Sequence, residues 1–101
     1  MNGATVIRRV VIRGRVQGVG YRAWTEYVAG RRGLEGWVRN RRDGSVEALF
    51  AGSPDEVAAM IAACRDGPRG SVVDHVSEHD ADLDLLARRY AGELFSVLPT
   101  E

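Results

Sequence analysis

Residues 34–51, LEGWVRNRRDGSVEALFA, contain two alternating runs joined by Asp43-Gly44. In the first run Leu34, Gly36 and Val38 share one face and Glu35, Trp37 and Arg39 the other; in the second, Val46, Ala48 and Phe50 fall together. Successive side chains of a strand point to opposite faces, and Asp-Gly supplies the turn that lets two strands pair back on each other. The stretch therefore predicts an antiparallel hairpin, with Asn40 closing its first strand.

Working outward from the hairpin, residues 6–13, VIRRVVIR, read as a first strand ended by Gly14. GRVQGVGYR, residues 14–22, follows as a loop, and Trp24, Tyr27 and Val28 then lie at the spacing of a helix face that stops near Gly30 to Gly33. Downstream, Ser53 is placed as an N-cap, Pro54 in the first turn and Glu56 as the closing member of a capping box. Val57, Met60, Ile61 and Cys64 form the apolar stripe of this second helix, which Gly67-Pro68 terminates. SVVDHVSEH, residues 71–79, predicts a fourth strand, and LFSVL, residues 94–98, a short fifth. Between them residues 81–93 fit either a short helix or an ordered loop. The order βαββαβ with an added edge strand is the split βαβ, ferredoxin-like plan. It is an α+β sandwich with two helices on one face of an antiparallel sheet, expected to be one domain over residues 1–101. Right-handed crossovers set the first two strands parallel, with the third antiparallel between them. The glycine loop, Arg22 and Asn40 then converge on one sheet edge.

Composition narrows the function. The 14 cations, all arginine, balance 14 carboxylates, so the net charge of zero disfavours a generic polyanion binder. The absence of lysine excludes a Walker-type phosphate lysine, and no apolar run is long enough to span a membrane. A lone Cys64 excludes an internal disulfide and fits a cytoplasmic location. His75 and His79 share a strand face without a third ligand, so no metal is expected. Three glycines in the loop turn main-chain N–H groups toward a ligand, and an arginine in the first turn of the following helix matches two phosphate oxygens with its planar fork. The predicted ligand is a phosphoryl group. Gly18 to Ala23 formally fits a dinucleotide fingerprint, but Asp43 sits in the hairpin turn rather than at a strand end, and the chain is too short for two mononucleotide halves.

GRVQGVGYR followed by GLEGWVRNRRDGSVEALFAG resembles the acylphosphatase family, in order and spacing, from about Val10 to Val76. The resemblance implies hydrolysis of the carboxyl-phosphate bond of small acyl phosphates; the chain is expected to be a monomer, without cofactor, metal, nucleic-acid or membrane partner. It implies that the loop Arg15, Val16, Gln17, Gly18, Val19 and Gly20 cradles the phosphoryl group with backbone amides. Arg22 matches the family's phosphate-binding arginine and Asn40 the asparagine that holds the attacking water; Gly14 and Gln17 match the loop signature. Tyr21 stands where phenylalanine is frequent, and Arg41 where a small hydroxylated residue is common. The leaving carboxylate needs no proton at neutral pH, so such chemistry requires no general acid. Arg31, Arg32, Arg39, Arg41 and Arg42 flank the loop and hairpin and are candidates for a locally positive field. Trp24 and Trp37 are expected to pack between helix and sheet. Two other readings are a non-catalytic phosphate or carbamoyl-phosphate binding module and an RNA-binding domain; the second is disfavoured because residues 45–51 lack the aromatic RNP1 pattern.

Overall fold

The computed structural model describes residues 4–101. Strand β1 (Val6–Arg15) is followed by α1 (Tyr21–Arg31), β2 (Glu35–Asn40), β3 (Val46–Gly52), α2 (Pro54–Asp66), β4 (Val72–Asp80), a one-turn α3 (Leu83–Leu86) and β5 (Phe95–Val97). The sheet order is β4-β1-β3-β2-β5. β3 pairs antiparallel with both β1 and β2, so these two run parallel as the split plan requires. The short β5 pairs parallel to β2, through Gly36↔Phe95 and Val38↔Val97, which makes the sheet mixed rather than wholly antiparallel.

β1 does not end at Gly14. Its pairing with β4 shifts register between Arg13 and Gly14 and continues to Arg15. Gly14 has φ 130°, and a Cβ there would lie 2.2 Å from the Val72 carbonyl oxygen, so this bulge accepts only glycine. The bulge bends the strand just before the loop it feeds.

α1 and α2 cover one face. Val10, Ile12, Val38, Val46, Ala48 and Phe50 from the sheet meet Val57, Met60, Ile61 and Cys64 of α2, the stripe that the sequence spacing predicts. Ser53 Oγ accepts from the Glu56 N–H at 3.3 Å, as an N-cap should. In α1 the expected face is displaced: Tyr21, Thr25 and Ala29 are buried, while Tyr27 is 62% exposed and Trp24 and Val28 are only half-buried. The rows i, i+4 and i+8 won because small residues at Thr25 and Ala29 let the helix approach the sheet, with the Thr25 hydroxyl donating back to the Tyr21 carbonyl.

The opposite face is covered by the C-terminal segment. Trp37, Leu49 and Ala51 pack against Leu86 and Leu98, and Trp37 Nε1 donates to the Leu85 carbonyl at 2.8 Å. Trp37 therefore lies under α3 rather than between sheet and the two long helices. Beside it, Glu47 and Arg39 are cross-strand partners with an Nε···Oε1 distance of 2.7 Å. Arg41 reaches the same carboxylate at 3.0 Å and Arg9 at 3.2 Å, and Arg39 also pairs with Glu101.

Candidate active site

The parallel placement of β1 and β2 brings their carboxyl ends to one edge, where Ile12 and Asn40 both lie level with Val46 of β3. From there β1 passes through its bulge into the loop, and α1 begins at Tyr21. Its N-cap is Gly20, in the left-handed region at φ 83°, with no side chain capping the first turn. From Gln17 to Ala23 no backbone N–H donates a hydrogen bond to another described residue; the first amide to do so is Trp24, to the Gly20 carbonyl at 3.0 Å. A row of undonated amides at a helix N-terminus is a geometry that can receive an anion.

The side chains fit that reading. No acidic residue occupies the first turn of α1; Arg22 does, against the helix dipole. A cation there is unfavourable for the helix alone and favourable once an anion sits between it and the amides. Arg22 is half-buried, and its side chain makes no ion pair or hydrogen bond with another described residue. Asn40 is 9% exposed, and its Oδ1 is buried without a hydrogen-bond partner among the described residues. Burying an unsatisfied acceptor costs free energy, about 1–3 kcal/mol, so an orphaned Oδ1 on a residue that lines a cavity calls for an explanation beyond packing. Arg22, Asn40, Gly18 and Gly20 line one cavity of about 340 Å³, with Glu26 and the apolar Val97 also on its walls.

The rest of the loop is divided between holding and packing. Val16 is buried in the helix-side core and also touches the cavity, and Val19 packs against that core. Gln17 turns its amide away: Nε2 donates to the carbonyls of Arg41 and Ser45 at 2.7 and 2.8 Å, tying the loop to the hairpin that carries Asn40. The Arg15 side chain is exposed and does not line the cavity. Neither Arg39 nor Arg41 lines the cavity, and both are held by Glu47 on the far face. Arg31 stacks over Tyr27 and Arg32 pairs with Glu56, so the expected arginine cluster does not assemble at the loop. Asp43 stays in the turn, where its Oδ1 accepts from the Ser45 hydroxyl at 2.6 Å and the Ser45 N–H at 2.9 Å.

Tyr21, beside Arg22, has its hydroxyl on the Cys64 carbonyl at 2.6 Å. That carbonyl's helical partner would be residue 68, a proline without an N–H, so the tyrosine satisfies an acceptor the sequence leaves open. Burial raises the phenol well above its usual range and pushes the Cys64 thiol up to about 12. Both stay protonated, and neither is a nucleophile. Among the described residues no group of three or more metal-ligating side chains occurs, and no helix is long and apolar enough to cross a membrane.

Sequence reading did not nominate Glu26 or Val97. Glu26 lies four residues after Arg22 and so shares its helix face, a signal present in the sequence. Val97 reaches the cavity only because β5 runs parallel beside β2, which no local pattern announces.

A sequence profile of the acylphosphatase family matches residues 8–90. An acylphosphatase of Bradyrhizobium diazoefficiens is 68% identical over 93% of this chain and 95% of that protein, and one from Rhodopseudomonas palustris is 61% identical over 96% and 98%. Among solved structures, the Bacillus subtilis acylphosphatase superposes with a TM-score of 0.79 at 34% identity, covering 92% of this chain and 98% of that one.

Proposed function

The chain belongs to the acylphosphatase family, whose reaction is the hydrolysis of acyl phosphates to a carboxylate and inorganic phosphate, and from that premise we propose that Arg22, Asn40 and the amides of the 15–20 loop carry this reaction here. The observation that carries the proposal is that one cavity is lined by Arg22, whose guanidinium is unpaired among the described residues, by loop and helix-start residues whose N–H groups donate to no described residue, and by Asn40, whose Oδ1 has no partner among them.

In this reading the phosphoryl group rests on the loop and helix amides, with the Arg22 fork across two of its oxygens. The Asn40 Oδ1 accepts a hydrogen bond from the attacking water, which orients the water's lone pair toward phosphorus. Phosphoryl transfer spreads charge over the equatorial oxygens, and fixed donors that tighten on that charge lower the barrier by preorganisation rather than by covalent chemistry. No histidine lines the cavity, and Glu26 is its one carboxylate among the described lining residues; in this reading Glu26 takes no part in the chemistry, and the water's proton passes to a phosphoryl oxygen of the substrate itself. The carboxylate leaves unprotonated.

The test is release of inorganic phosphate from benzoyl phosphate by the wild type, Arg22→Ala and Asn40→Ala. Turnover that falls steeply in both variants supports the assignment. Wild-type binding of phosphate without hydrolysis, or variants as active as the wild type, overturns it.

A further inference from the structure

The loop grips the phosphoryl end of the substrate, so discrimination among acyl groups has to come from the remaining walls of the cavity. Those walls have two properties. Val16, Tyr21, Ala23 and Val97 present apolar surface, and the charged side chain among them is the carboxylate of Glu26. Glu26 is exposed and its side chain makes no ion pair with another described residue, although Arg22 lies one helical turn away. Arg22 is the sole cation among the described lining residues, and the phosphoryl group engages it. Arg39 and Arg41 are held by Glu47, Arg32 by Glu56 and Arg31 by the Tyr27 ring, and Arg15 and Arg42 do not line the cavity.

An acyl phosphate carrying a second anionic group is favoured by a second cation at the acyl end and disfavoured by an anion there. This cavity has a carboxylate instead. We propose that Glu26 is a specificity-determining residue, favouring acyl phosphates with an uncharged, apolar acyl group over those that bear a second carboxylate or phosphate. The inference rests on the cavity being the hydrolytic site. Glu26 acts through its field alone: at the rim of a cavity this small, any second negative charge on the substrate lies within about a Debye length of it at physiological salt. Like charges at such separations discriminate by about three- to tenfold per pair near a protein surface.

A matched pair of substrates tests the proposal. 4-Carbamoylbenzoyl phosphate and 4-carboxybenzoyl phosphate have nearly the same shape and differ by one charge. The wild type should hydrolyse the carbamoyl compound with a kcat/KM about tenfold higher at low salt, and the preference should shrink as salt is added. Glu26→Gln should narrow the ratio severalfold, and Glu26→Lys should abolish or invert it. A wild-type ratio near one, or the same ratio in both variants while benzoyl phosphate is still turned over, overturns the inference and leaves the hydrolytic assignment standing. Loss of turnover on every acyl phosphate tested, in the wild type itself, overturns the assignment and the inference with it.

Discussion

Arg22 and Asn40 are residues whose placement costs the fold something. Arg22 opposes the α1 dipole, and Asn40 buries an acceptor with no partner among the described residues. Replacing either should therefore separate activity from stability. Arg22→Ala is expected to lower kcat/KM on the order of 10²–10³, by analogy with the loss of one oxyanion donor, and to raise KM. Unfolding in urea should show the variant as stable as the wild type or more stable by about 0.3–1 kcal/mol. Arg22→Lys keeps the charge but not the fork, and should recover only part of the rate. Asn40→Ala should lower kcat by a similar factor while the inhibition constant of inorganic phosphate changes little. If either variant loses activity in proportion to a loss of stability, its role is structural. Tyr21 behaves oppositely. Tyr21→Phe strands the Cys64 carbonyl above Pro68 and should lower stability by about 1 kcal/mol, read as a lower urea midpoint, with activity retained. That Arg22 and Asn40 would meet was legible in the sequence, because the strand order sets the loop after β1 and the end of β2 on one sheet edge, and both residues line the same cavity. The directions of Gln17 and Tyr21 were not, since each bonds a carbonyl more than twenty positions away.

At the scale of elements, a pattern was readable where it was self-contained. α2 carries its own start signal, stripe and stop, and its bounds, Pro54–Asp66, follow them. Ser53→Ala removes the side-chain acceptor of its first turn and should cost about 1 kcal/mol, measurable as a fall in Tm without change in kcat/KM, because α2 lines no part of the cavity. A fall in kcat/KM larger than the loss of folded protein would mean that α2 positions the site. The hairpin of β2 and β3 was equally self-contained. α1 and β5 were not: Trp24 and Tyr27 are bulkier than Thr25 and Ala29, yet close packing on the sheet selected the small pair for burial. β5 contributes three residues whose pairing depends on where the preceding turns deliver them. Local apolar spacing finds a helix but does not say which flank faces inward when two flanks compete.

Across the whole molecule, the two faces of the sheet do different work, one making the core under α1 and α2 and the other holding a charge cluster beneath the C-terminal segment. Glu47 is 4% exposed and Arg39 7%. Burial alone would raise the Glu47 carboxyl, but the hydrogen bonds and charges of Arg39 and then Arg41 outweigh it, and the net direction is below the ordinary 4.5. A carboxyl lowered in the folded state contributes stability that is complete above its unfolded value and is lost as pH falls through the folded one. Asp43, held down to about 2 first by the Ser45 hydroxyl and then by the Ser45 N–H and Arg13, adds a surface contribution of the same sign. Tm should thus be level above about pH 5 and fall below it. Glu47→Gln should remove part of that acid slope and, by leaving buried Arg39 with only the exposed Glu101 as its counter-ion, cost up to about 3–5 kcal/mol at pH 7. In Arg39→Met/Glu47→Leu the interior keeps its volume and loses both charges. Arg9, Arg41 and Glu101 are 31%, 40% and 61% exposed at their side chains and can turn to water. The double variant should therefore lose far less than the sum of the single losses, with a coupling of at least about 2 kcal/mol in urea unfolding at pH 7. Additive losses would mean that Arg39 and Glu47 stabilise the sheet by packing, and that their charges are incidental to it.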